Sequence, residues 1–184
     1  FCTRKDIARE NEAAGQAPHR TGGAIYPGTC RTLPNSTRQG RIDAGDAFAF
    51  RIDIAEAIDK AGPLTWASAD EKGETTEIQA TPEIYGDVVL APKDVPTSYH
   101  LACTLDDHLQ GITLISRGED LAAATHVHRL LQALLDLDTP TYHHHSLLTD
   151  DTGKRFAKRD NSFTLRSLRA DGMTAEEVKA MAFP

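Results

Sequence analysis

The sequence predicts an α/β fold built on part of a doubly wound sheet, and three observations carry that prediction. Residues 112–116 (Ile-Thr-Leu-Ile-Ser) are a short apolar run of the kind that forms a buried parallel strand. After the charged turn Arg117-Gly118-Glu119-Asp120, residues 121–137 repeat apolar side chains at helical spacing: Leu121, Ala124, Val127, Leu130, Leu131 and Leu134. Strand, loop and helix in that order make one βα portion of such a sheet. Residues 46–92 instead carry short β-type runs, which read as a small inserted β subdomain.

In chain order, residues 3–14 are rich in helix formers and stop at Gly15, which predicts a short helix. Residues 15–45 contain Pro18, Gly22, Gly23, Pro27, Gly28, Pro34 and Gly40, the chemistry of a long loop. Phe48, Phe50, Ile52 and Ile54 alternate with other residues and predict a half-buried strand over 47–54. Beyond Gly62-Pro63, strands are expected near 64–68, 77–80 and 87–90. Asp106 and Asp107 open a strand-turn-strand unit that ends in the Arg-Gly-Glu-Asp turn. A strand near 146–148 leads to the turn Asp150-Asp151-Thr152-Gly153, which presents the basic loop 154–159. Thr174 and Glu177 form a capping box for a closing helix over 174–181.

A chain of 184 residues, 40% hydrophobic and 26% charged, is long enough for one domain with its own core and has the composition of an ordinary soluble protein. No run of about 18 apolar residues and no signal-peptide pattern is found, so the expectation is a cytoplasmic, membrane-free monomer. Three irregularly spaced cysteines argue against a disulfide framework. The net charge of −7 does not exclude a nucleic-acid partner, because Lys154, Arg155, Lys158, Arg159, Arg166 and Arg169 cluster near the C-terminus and local potential outweighs the sum.

Three blocks point to chemistry. They are Asp106-Asp107-His108-Leu109-Gln110-Gly111-Ile112-Thr113, the Arg117-Gly118-Glu119-Asp120 turn, and Arg155-Phe156-Ala157-Lys158-Arg159. Together they resemble the second half of the catalytic domain of glutamate-specific class I aminoacyl-tRNA synthetases, over residues 2 to about 179. Lys93-Asp94-Val95-Pro96-Thr97-Ser98-Tyr99-His100-Leu101-Ala102 further resembles a short branch of that family which glutamylates queuosine in the anticodon of tRNA(Asp). The resemblance implies a partial Rossmann-like fold, ligase activity, ATP with Mg²⁺, and glutamate and queuosine-bearing tRNA(Asp) as substrates. It divides the chain into a zinc-binding and connective segment (1–45), the inserted β subdomain (46–92), the second half of the catalytic domain (93–150), and the basic loop with a C-terminal helical segment (151–184).

The resemblance also assigns residues. Lys158 falls on the second lysine of the KMSKS-type loop, with Arg155 and Arg159 beside it; Phe156 and Ala157 depart from the motif. Cationic groups here would stabilise charge on the α-phosphate and the departing pyrophosphate of ATP. Tyr99 and Arg117 match contacts to the substrate glutamate, a role suited to a planar guanidinium that grips a carboxylate through two N–H groups. Cys2, Tyr26 and Cys30 match three ligands of a structural zinc site whose fourth ligand, a cysteine, would precede Phe1. The segment with the HIGH-like motif is not found, so the chain alone is expected not to form adenylate.

Other patterns read differently. Asp106 and Asp107, adjacent on a strand, would point to opposite faces and could not serve one site. His143, His144 and His145 alternate faces on extended backbone, and His126 and His128 diverge on a helix, so no histidine metal site is expected. Cys103, in an apolar stretch, reads as a core residue. Two alternatives stay open: a truncated glutamyl-tRNA synthetase catalytic domain, and a non-catalytic tRNA-binding remnant, for which Ala157 and Pro92 are the hints.

Overall fold

A computed structural model describes residues 1–13, 25–149 and 164–182. The chain forms two compact units, Phe1–His145 and Ser146–Pro184.

The first unit is organised by a four-stranded sheet of order β3-β2-β6-β5, where β2 is Thr65–Ala69, β3 Thr75–Gln79, β5 Leu114–Gly118 and β6 Thr141–His145. β2 pairs antiparallel with β3, and β6 pairs in parallel with both β2 and β5. In the same unit, helix α5 (Ala124–Leu134) packs against both α3 (Ile54–Ala61) and α4 (Tyr99–Leu109). Val127, Leu130 and Tyr142 are fully buried at its centre. Leu130 packs with Ile54 and Ala57 of α3, while Val127 and Leu131 pack with Val88. Each such aliphatic side chain contributes about 1.5–3 kcal/mol on leaving water.

This arrangement changes the reading of the middle of the chain. Strands β2 and β3 belong to the main sheet, not to a separate inserted subdomain, because Ser68 and Ala69 register with Tyr142 and His143. β4 (Val89–Ala91) instead pairs with β1 (Phe50–Arg51) in a short antiparallel ribbon. The strand expected over 47–54 shrinks to β1, and α3 follows it. Asp53 caps that helix by accepting from Glu56 N–H at 3.3 Å, and Gly62, at φ 71°, ends it. Ile54, Ala57, Ile58 and Ala61 then form an i, i+3, i+4, i+7 stripe against Leu130, which outweighs the local alternation.

α1 (Arg4–Ala13) lies where the composition predicted it. α2 (Asn35–Asp43) was read as loop; it buries no side chain and is held by local bonds such as Gln39 Nε2 to Asp43 Oδ1 at 2.8 Å. Asp106 and Asp107 lie on α4, not on a strand, since Ser98 caps a helix by accepting from Leu101 N–H and the left-handed Gly111 (φ 65°) follows its end. β5 is shifted two residues from the expected 112–116, and Leu114 is 55% exposed: among the described residues it is an edge strand, open on one face. The helix expected over 121–137 begins later, after a 3-10 turn at Glu119–Leu121. The strand expected at 146–148 is β6, five residues earlier, where its pairing with β2 and β5 fixes it.

Gly86 joins β4 to a 3-10 turn at φ 60°, and a Cβ there would lie 2.7 Å from Ile25 Cγ2. Glycine is therefore required both by conformation and by space.

In the second unit, Thr164 caps α6 (Leu165–Ala170) through a box with Ser167. Thr174 and Glu177 make the expected box for α7 (Ala175–Ala182): Thr174 N–H donates to the Glu177 carboxylate at 2.7 Å, and Glu177 N–H to Thr174 Oγ1 at 3.3 Å.

Candidate active site

Arg117 stands at the carboxyl end of β5, directly opposite His144 of β6 in the parallel register. Its guanidinium donates from three nitrogens to three neutral acceptors. Nε donates to His144 Nε2 at 3.3 Å, Nη1 to His128 Nδ1 at 3.2 Å, and Nη2 to the Thr125 hydroxyl. Its Cζ also lies 5.1 Å from the centre of the Tyr142 ring. Thr125 and His128, one turn apart, reach it from the same face of α5. Among the described residues no carboxylate pairs with Arg117. Among the described residues the result is a cation that is oriented without a carboxylate partner, at the carboxyl end of a parallel strand where open α/β sheets receive ligands.

The histidines around it are kept uncharged. Burial, helped by Arg117 and His100, brings His128 down to about 3. Burial and then Arg117 bring His144 down to about 4, and the same two causes lower His100. A guanidinium has no acceptor, so His128 Nδ1 must accept and its proton resides on Nε2. That Nε2–H faces His100 Nδ1 at 3.0 Å and Cys103 Sγ at 3.6 Å. Cys103 is accordingly half-buried and joined to this network, and burial raises its thiol.

Tyr99, the first residue of α4, packs its ring on the same His128, with centroids 5.7 Å apart. The structure thus brings the two expected glutamate contacts, Tyr99 and Arg117, against one imidazole. Tyr99 also lines an open cleft of about 730 Å³ with Arg4, Arg51, Tyr85, Ser98 and His100. Burial pushes the Tyr99 hydroxyl up, which keeps it a neutral donor. His145, at the end of β6, has an exposed side chain.

Cys2, Tyr26 and Cys30 also converge. The two sulfurs are 3.2 Å apart, and Cys30 N–H donates to the Tyr26 hydroxyl at 2.7 Å. Burial opposes ionisation of Cys30, but hydrogen bonds with Cys2 and Tyr26 outweigh it and bring that thiol down to about 7. Burial and the neighbouring thiols push Tyr26 up to about 12. Among the described residues, no three His, Cys, Asp or Glu side chains group as a metal site, so any ion here would need Tyr26 or a further ligand. Lys158, Arg155 and Arg159 lie outside the described residues.

The sequence marks His128 and His144 only as groups that cannot share a metal, and Thr125 not at all. Their common role was signalled by the i, i+3 spacing of Thr125 and His128 and by the place of His144 on an alternate strand face.

A parallel strand that carries an oriented arginine to the carboxyl end of the sheet is the arrangement of a ligand-binding domain of the α/β class. The chain belongs to the class I glutamyl- and glutaminyl-tRNA synthetase family: the profile described as "tRNA synthetases class I (E and Q), catalytic domain" matches residues 1–181. Among relatives, a glutamyl-Q tRNA(Asp) synthetase of Rhodobacter capsulatus is 41% identical over 98% of this chain and 64% of its own length. One of Nocardia farcinica is 33% identical over 98% of this chain and 53% of its own. The chain therefore spans about half to two thirds of the length of these relatives. A glutamate-tRNA synthetase of Elizabethkingia anophelis shares the fold, with a TM-score of 0.61 over 88% of this chain and 32% of that one, at 23% identity. Among the described residues, no helix is long and apolar enough to cross a membrane.

Proposed function

We propose that this chain is the glutamate-recognising portion of an enzyme that activates glutamate with ATP and transfers it to queuosine in tRNA(Asp). The observation that carries this reading is the Arg117 guanidinium, fixed by three neutral acceptors with no carboxylate partner among the described residues. A planar guanidinium so placed suits a substrate carboxylate. The relatives named glutamyl-Q tRNA(Asp) synthetase support the choice of substrate.

In this reading Arg117 grips one carboxylate of glutamate and Tyr99 donates to its polar groups, so that the reacting carboxylate is fixed before chemistry. A carboxylate oxygen attacks the α-phosphorus of ATP, a new P–O bond forms, and pyrophosphate leaves. A hydroxyl of the queuosine cyclopentenediol then attacks the acyl carbon, loses its proton and displaces AMP. Lys158, with Arg155 and Arg159, would stabilise charge on the phosphates, and Mg²⁺ would accompany ATP. The enzyme would act in the cytoplasm as a monomer.

Zinc is part of the proposal. Cys2, Cys30 and the Tyr26 hydroxyl fit a thiolate-rich structural site, because three donors from sequence-distant segments meet with sulfurs 3.2 Å apart. Such an ion would fasten the N-terminal segment to the loop at Tyr26–Cys30.

The test is transfer of labelled glutamate by the full-length protein to purified tRNA(Asp) with and without queuosine. Label on the queuosine-containing tRNA alone is the expected result. Label on the 3′ end, or on neither tRNA, overturns the reading.

A further inference from the structure

We propose that His128 is a positioning residue for Arg117: as a neutral acceptor it aims the guanidinium while leaving its positive charge free for a substrate carboxylate. The inference rests on the reading of Arg117 as a substrate contact, and adds what makes that contact work.

An arginine in a half-buried site is most simply held by an aspartate or glutamate, but that partner would cancel its charge and compete with any incoming carboxylate. Here the task falls to groups that accept without charge. His128 is 1% exposed, and an imidazole is costly to bury without partners. Both of its nitrogens are used: Nδ1 accepts from Arg117 Nη1 at 3.2 Å, and Nε2–H faces His100 Nδ1 at 3.0 Å. The groups that face it are Arg117 from β5, and Tyr99, His100 and Cys103 from α4. None is an acid. Asp107 of α4 feels the guanidinium, yet among the described residues no hydrogen bond or ion pair links the two. Arg117 and His100 together hold His128 in one tautomer, and His128 sets the direction of Arg117, through two consecutive hydrogen bonds.

The same logic states which replacements work. A glutamine at 128 keeps a neutral oxygen acceptor. A leucine keeps the bulk but leaves Nη1 without its partner, and a glutamate supplies a competing charge.

Steady-state kinetics of the full-length protein test this, with glutamate and ATP varied separately. Expected are a KM for glutamate at least tenfold higher in His128→Leu and higher still in His128→Glu, with KM for ATP unchanged. His128→Gln should return to within about threefold of the parent. Nitrogen-15 spectra of the His128 ring provide a measurement that needs no variant: an unprotonated Nδ1 and a protonated Nε2 at pH 7 are expected. A folded His128→Leu protein with the parent KM for glutamate, or a protonated Nδ1, overturns the positioning role. Arg117→Ala separates the two ideas. If it raises KM by a hundredfold while His128→Leu and His128→Glu do not, the substrate reading stands and the role of His128 falls; if Arg117→Ala leaves KM unchanged, the substrate reading itself fails.

Discussion

Arg117 and His144 face each other across the parallel β5–β6 pair, and the arginine Nε donates to His144 Nε2 at 3.3 Å. A strand register therefore fixes the base of the guanidinium before any ligand arrives. Thr125 and His128 of α5 then hold its two terminal nitrogens. Rigid backbone on both sides is what a binding arginine needs to avoid losing side-chain entropy on each encounter.

Replacing Arg117 should therefore cost more than a charge. Arg117→Ala is expected to lower kcat/KM for glutamate by two to three orders of magnitude, about 3–4 kcal/mol of lost charge-assisted hydrogen bonding. Arg117→Lys should recover little of this, because an ammonium cannot meet three separated acceptors and still present a planar pair of donors. Kinetics with glutamate as the varied substrate check both.

The buried histidines predict a one-sided pH dependence of stability. His128 falls from an ordinary 6.5 to about 3 in the folded chain and His144 to about 4. Between pH 6.5 and those values the unfolded chain binds protons that the folded chain refuses, so stability falls as pH falls. The slope approaches about 1.4 kcal/mol per pH unit for a group as buried as His128. Thermal melts at pH 7 and pH 4.5 should differ clearly in the parent and less in His128→Gln.

Much of this site was legible in the sequence and some was not, for definite reasons. Tyr99 and Arg117 could be chosen from motif matching, and α1, α5 and α7 from helix formers, spacing and a capping box. α3 was hidden because Phe48, Phe50, Ile52 and Ile54 alternate like a strand, while the stripe that makes 54–61 helical is satisfied only by Leu130 far along the chain. Asp106 and Asp107 were misplaced on a strand because a cap at Ser98 decides their helix from eight residues upstream. The role of His128 and His144 toward Arg117 is not legible in the sequence because tertiary pairing brings the three together.

Asp87 predicts a stability defect that no motif signals. It is 6% exposed; its carboxylate accepts from Ile54 N–H at 3.0 Å and pairs with Arg31, while Arg51 donates to its carbonyl at 2.7 Å. It thus ties the start of α3 to the segment before β4. Asp87→Ala leaves a buried N–H and loses the ion pair, and should destabilise by about 3 kcal/mol; Asp87→Asn keeps an acceptor and should lose about half of that. Arg31 is half-exposed, which holds these figures below those of a fully buried pair. Urea unfolding of the two variants measures the difference.

The thiol pair at Cys2 and Cys30 gives the last prediction. If those sulfurs, 3.2 Å apart, serve one zinc ion with Tyr26, metal analysis of the full-length protein should find about one zinc per chain. Cys30→Ser should remove it, because a serine hydroxyl does not ionise to a soft anionic ligand near neutral pH. Tyr26→Phe should weaken retention against a chelator without abolishing binding, since the thiolates carry most of the affinity. Loss of the ion should lower the melting temperature, because among the described residues α1 would then be held by buried Ile7, by Asn11 Nδ2 to the Ile25 carbonyl at 2.8 Å, and by the contact of Thr29 with Glu10. A full-length protein that contains no zinc yet melts at the same temperature with and without chelator would assign the two thiols to ordinary packing instead.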